Sequence, residues 1–118
     1  MTPEDQLWMA AENGQMDPLK HLLSNNLVDP NVANLNDEGW TALHYASNEG
    51  HDQIVECLLR TFNAEVDIIS SNGRTPLHVA CNRMNKKVIE RLLLAGADAN
   101  MKQRSDGNTP VHIVAKYA

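Results

Sequence analysis

The sequence predicts an all-α solenoid: stacked helix–turn–helix units joined by short β-turn or hairpin tips. Three observations predict it. A short motif returns in register, its period is 34 residues, and the apolar positions between copies recur three and four apart, as on a helix face. Residues 39–46 read Gly-Trp-Thr-Ala-Leu-His-Tyr-Ala, residues 73–80 read Gly-Arg-Thr-Pro-Leu-His-Val-Ala, and residues 107–113 read Gly-Asn-Thr-Pro-Val-His-Ile. A weaker fourth copy, Leu7-Trp8-Met9-Ala10-Ala11-Glu12-Asn13-Gly14, aligns with Leu43 to Gly50. Strand periodicity is nearly absent, residues 66–69 being the only plausible short stretch. Helical pieces of about 8 to 10 residues are too short for a four-helix bundle.

The chain reads as a single domain, 1–118, in units of about 3–36, 37–70 and 71–104 with a partial unit 105–118. The first unit opens on the weak copy, and Leu19, Leu22 and Leu23 mark its second apolar face. The second starts at Thr41, whose hydroxyl suits it to cap orphan amides. Its first helix runs from Leu43 to about Asn48 and stops at Gly50, a natural left-handed cap. Ile54, Val55, Leu58 and Leu59 then share one face of a second helix. Thr75-Pro76 and Thr109-Pro110 open the next two units, with proline at the first helical position, where no N–H is needed. Val88, Ile89, Leu92 and Leu93 supply the third unit's second helix, and Gly96 ends it. Gly39, Gly73 and Gly107 fall in polar connections, where a tight turn calls for positive φ. Each helix pair leaves an apolar face that only a stacked neighbour can cover, and about three units are needed for stability. The fourth unit stops after one helix. We therefore expect a fragment of a longer protein, or a truncated unit serving as a cap.

Composition narrows the function classes. The chain has 118 residues, 42% of them hydrophobic, and a net charge of −5. Its aromatic residues are Trp8, Trp40, Tyr45, Phe62 and Tyr117, so the core must be aliphatic. No apolar run approaches the roughly 18 residues of a membrane span. The opening Met1-Thr2-Pro3-Glu4-Asp5 is acidic, without the apolar stretch of a secretory signal. Cys57 and Cys81 sit inside helical apolar patterns and lack metal spacing; they read as reduced core thiols in an intracellular compartment, cytoplasmic or nuclear. An acidic balance argues against nucleic acid as a partner.

The segment from Asp37 through Gly39-Trp40-Thr41-Ala42-Leu43-His44-Tyr45-Ala46, with Gly50-His51, Ile54-Val55 and Leu58-Leu59, resembles an ankyrin repeat. So does Gly73-Arg74-Thr75-Pro76-Leu77-His78-Val79-Ala80, with Leu92-Leu93-Leu94-Ala95-Gly96-Ala97-Asp98-Ala99-Asn100. The resemblance covers nearly the whole chain. It implies L-shaped units of two antiparallel helices and a projecting hairpin, stacked into a curved slab. There are departures from the family pattern. The first unit lacks Thr-Pro-Leu-His, which suits a cap. The third has Met84-Asn85 in place of Gly-His, so we expect Asn82 or Asn85 to take the left-handed position. The second has an extra residue near Arg60-Thr61-Phe62.

His44, His78 and His112 recur with the repeat, so stacking sets them about 10 Å apart, too far for a shared zinc with ligands about 2 Å from the metal. We read Thr41, His44, Thr75, His78, Thr109 and His112 as structural: each His bonds its own turn and bridges to a neighbour. His51 and His21 read as solvent-facing or structural. No nucleophile signature, phosphate loop or convergent acid pair stands out. We expect no catalysis, metal, cofactor or small-molecule substrate.

Recognition should sit where packing leaves side chains free. Those positions are Asp37, Glu38, Trp40, Asn48, Glu49, Asn72, Arg74, Asn82, Arg83, Asp106 and Asn108, with Glu12, Asn13, Ser71 and Ser105 beside them. Trp40 lies where the fold should expose it; it either anchors a partner or folds onto a neighbouring tip. Trp8 replaces a motif histidine and reads as core or cap. The units carry net charges of −4, −6 and +5 in order, the last from Arg74, Arg83, Lys86, Lys87, Arg91, Lys102 and Arg104. That is either a solvated surface with contacts between units or a bipolar face that orients a charged partner. Asn100 lies in a pattern resembling the one asparaginyl hydroxylases accept in ankyrin proteins, with Ala99 in place of a larger aliphatic residue. The expected function is a monomeric adaptor that binds a protein through its concave face and turn tips. The alternatives are a regulatory or targeting arm of a larger enzyme or membrane-associated protein, or an inhibitor that occupies an enzyme surface.

Overall fold

The computed structural model describes residues 1–104 and 106–117; the candidate position Ser105 lies outside them. Seven helices occur among the described residues: α1 (Pro3–Asn13), α2 (Met16–Ser24), α3 (Ala42–Glu49), α4 (Asp52–Arg60), α5 (Pro76–Asn82), α6 (Lys86–Leu94) and α7 (Pro110–Tyr117). The inner helices α1, α3, α5 and α7 pack side by side in that order, and α2, α4 and α6 lie behind them as an outer layer. The slab measures 40 × 26 × 21 Å. Helices this short are marginal alone, so their stability comes from the faces they bury. Leu7, Leu19, Leu43, Val55, Leu58, Leu77, Val88 and Leu92 are fully buried between the layers.

Helix α1 begins earlier than the weak motif copy suggests. Asp5 N–H donates to Thr2 Oγ1 at 3.1 Å, Thr2 N–H donates to Asp5 Oδ2 at 3.3 Å, and Pro3 opens the helix. Between the third pair of helices neither expected asparagine takes the left-handed position. Met84 does, at φ 52°, where the preceding unit has Gly50 at φ 77°. Asn85 instead caps α6, its Oδ1 accepting from Val88 N–H at 3.2 Å. Its extended φ of −85° suits that role and cannot also serve the turn.

The outer helices close with a backbone bond back into their last turn. Leu27 N–H reaches Leu22 O and Ala97 N–H reaches Leu92 O, both at 3.0 Å, while Ala64 N–H must span one residue more to Leu58 O at 2.9 Å. That longer loop holds the extra residue of the second unit. The stretch 66–69 forms no strand, because no neighbouring segment pairs with its backbone; side chains link the adjacent connections instead. Asn31 Oδ1 accepts from Glu65 N–H at 2.9 Å, and Asp67 Oδ1 accepts from Asp98 N–H at 3.1 Å. The tips are hairpin turns, closed by Asn34 N–H to Trp40 O (2.8 Å), Ser70 N–H to Arg74 O (2.9 Å) and Gln103 N–H to Asn108 O (2.7 Å).

Candidate protein-binding surface

The buried histidines fix the frame on which the surface is built. Thr41 N–H donates to His44 Nδ1 at 3.1 Å, and Thr75 N–H donates to His78 Nδ1 at 3.0 Å. A backbone amide can only donate, so each Nδ1 is unprotonated and the ring proton sits on Nε2. That proton is donated to the next unit's tip: His44 Nε2 to Arg74 O at 2.9 Å, His78 Nε2 to Met101 O at 2.7 Å. Burial pulls His44 down to about 4 and lowers His78 as well, so both rings are neutral near pH 7. Thr109 N–H makes the same bond to His112 Nδ1 at 3.2 Å, but His112 is exposed and its Nε2 meets no carbonyl among the described residues. Trp8, in the corresponding place of the first unit, donates its indole N–H to Val32 O at 3.1 Å.

Around this frame the tips and inner helices gather the candidate residues. Asp37 accepts the Tyr45 hydroxyl at 2.5 Å, and burial together with that bond holds the Tyr45 phenol well above its ordinary pKa. Glu38 takes a left-handed φ of 57°, its carbonyl accepting from Ser71 N–H at 2.8 Å. Asn72 Nδ2 reaches the Glu38 carboxylate at 3.5 Å. Trp40, expected either to stand exposed as an anchor or to fold onto a neighbouring tip, packs instead on the helix of its own unit. It is half-buried, stacked on His44 at 5.8 Å and 25° and edge-on to Tyr45 at 5.3 Å. A ring of that area gains more by covering the buried motif histidine than by standing in water.

Arg74 occupies the same position of the next tip and is also half-buried. Trp40 Nε1 and Arg74 Nε are both buried without an acceptor among the described residues. At the far ends of the inner helices, Glu49, Asn82 and Arg83 are exposed and Asn48 half-buried, with Arg83 Nε donating to Asn48 O at 3.2 Å. His51 makes the equivalent link one unit earlier, its Nε2 donating to Glu12 O at 2.9 Å. Asp106 accepts from Asn108 N–H at 2.9 Å and from the Gln103 amide at 3.0 Å, bonds that hold its carboxyl below the usual range. Asn100 is exposed on the connection after α6.

The basic set is only partly free. Arg91 pairs with Asp52 at 3.6 Å and with Glu56, tying α6 to α4. Cys57 and Cys81 are buried and unpaired, and burial pushes the Cys81 thiol up to about 11. Tyr45, which fastens the second tip to α3, was not among the expected site residues. Its only signal was an aromatic ring at a motif position where the next unit has Val79.

A family model described as ankyrin repeats, three copies, matches residues 7–103. Ankyrin repeat domain-containing protein 39 from Homo sapiens is 40% identical over 58 residues, a stretch covering 49% of this chain and 30% of that protein. No helix among the described residues is long and apolar enough to cross a membrane.

Proposed function

The chain belongs to the ankyrin-repeat family, and from that premise we propose that it is a non-catalytic module that binds a partner protein through its tips and inner helices. Ankyrin repeats are generally protein–protein interaction modules. One observation carries the reading to particular residues. At the position between tip glycine and capping threonine, successive units place Trp40 and Arg74, both half-buried and each with an N–H that finds no acceptor among the described residues. Trp and Arg are the residue types richest in binding energy at interfaces, and a buried donor without a partner is costly. A small rotation of either side chain turns its donor toward a carbonyl or carboxylate of the partner.

Asp37, Glu38, Asn72, Asp106 and Asn108 extend this surface along the tips, and Asn48, Glu49, Asn82 and Arg83 extend it along the inner helices. Bonds between units hold Glu38, Asn72, Asn48 and Arg83 in place before a partner arrives, and bonds within a unit hold Asp37, Asp106 and Asn108, which lowers the ordering cost of binding. The acidic second unit beside the basic third favours one orientation of a charged partner. Two buried reduced thiols suit an intracellular setting. Asn100, exposed on its loop, is the candidate for hydroxylation, which intact-mass analysis of cell-derived protein tests. The binding surface is tested by affinity capture with the Trp40→Ala, Arg74→Ala double variant. We expect it to lose the partners held by the wild type; an unchanged set, with the circular dichroism spectrum intact, removes this surface from the reading.

A further inference from the structure

The outer layer carries a second feature, on the opposite side of the slab from the inner helices. A cleft of about 280 Å³ opens between the C-terminal ends of α4 and α6, lined by Glu56, Leu59, Arg60, Arg91, Leu94 and Ala95. Ser24, Arg60 and Leu94 are the last residues of α2, α4 and α6, so the same place on the outer face is polar in two units and leucine in the third. Leu94 is 85% exposed, and Leu93 beside it is 47% exposed. Lone surface leucines are ordinary, but here Leu94, Leu59 and Ala95 wall one cleft together.

The charges around it differ in availability. Arg91 is held by Asp52 and Glu56. Arg60 is exposed and has no carboxylate partner among the described residues. Glu90 and Lys87 are exposed on the neighbouring turns of α6 and offset one another. An aliphatic wall with one uncommitted cation is complementary to an apolar side chain followed closely by an acid.

We propose that this outer cleft docks a short acidic segment of a partner protein, inserting one large apolar side chain beside Leu94 and Leu59 with a carboxylate on Arg60. This contact is independent of the tip surface. The test pans a phage-displayed library of random 12-residue peptides on the chain. Recovered peptides are then measured against Leu94→Arg, Arg60→Glu and the Trp40→Ala, Arg74→Ala double variant. Leu94 and Arg60 are exposed, so their variants keep the fold, which circular dichroism checks.

We expect recovered peptides to pair a large apolar residue with Asp or Glu within four positions. Each single variant should weaken them at least about tenfold, which is about 1.4 kcal/mol, and replacing the peptide acid with Lys should restore binding to Arg60→Glu. The double variant should leave them unchanged. Peptides lost only in the double variant overturn the proposal while leaving the tip surface standing. An unenriched pool overturns it too, as does self-association of the wild type that Leu94→Arg abolishes.

Discussion

His44 and His78 each span an amide that can only donate and a carbonyl that can only accept, one in their own unit and one in the next. Removing such a ring orphans two buried groups and opens a void. We expect His78→Ala to cost about 2–4 kcal/mol in urea unfolding. His112→Ala, which loses only an exposed cap, should cost under about 1 kcal/mol. Equal losses would mean that the link between units contributes nothing beyond the cap. The same burial sets a pH dependence. His44 titrates near 4 when folded against 6.5 in the open chain, so the unfolded state binds the proton first. Stability is full above about pH 6.5 and falls between there and about pH 4, by about 3 kcal/mol from His44 with His78 acting in the same direction. A urea midpoint that stays flat from about pH 7 to about pH 4.5 would contradict this. The motif histidines were legible in the sequence because their role follows from spacing. The packing of Trp40 was not, because it depends on which neighbour offers a flat buried face, and spacing does not encode that.

The helices follow their end signals, and the departures lie where two signals compete. Thr2-Pro3 with Asp5 is the same Thr-Pro start that opens α5 and α7, yet it stands three residues ahead of the repeat register, and a reading tied to that register passes over it. At the third inter-helix turn, asparagine is the better left-handed residue, but Asn85 is already engaged in capping α6, so Met84 takes the strained position. Relieving it with Met84→Gly should raise stability by about 0.5–1 kcal/mol, less whatever packing the thioether supplies. The opposite change should fail at the tip. An added Cβ at Gly73, already at φ 77°, would sit 2.4 Å from Arg104 Cβ and 2.8 Å from Arg104 N. Backbone of the next tip cannot move aside as a flexible side chain can, so Gly73→Ala should cost more than 2 kcal/mol, beyond the left-handed penalty of about 1–2 kcal/mol. Thermal unfolding of the two variants checks both signs.

Across the whole molecule, stability depends on how many neighbours each helix has. In a stack, each unit contributes its own term and one interface term for every neighbour, so end units are weaker than middle ones. Within residues 1–118 the first and last described helices are held unequally. α1 has its own outer helix α2, packs on α3, and is fastened by the Thr2 cap and the Trp8 indole bond. Among the described residues α7 packs on α5 and on no outer helix, Val111 is 60% exposed, and His112 meets no carbonyl of the kind that His44 and His78 reach. α3, between α1 and α5 and backed by α4, is the most enclosed. Native-state hydrogen exchange should therefore show graded protection: α3 amides opening only with global unfolding, α7 amides several kcal/mol sooner through local opening, and α1 between them. Low concentrations of urea should leave the α7 rates unchanged and accelerate those of α3, because only the latter exposes much surface on opening. If α7 and α3 instead exchange with one free energy and one urea dependence, the chain unfolds as a single block. The stack would then owe its stability to a shared core more than to the interfaces between its units.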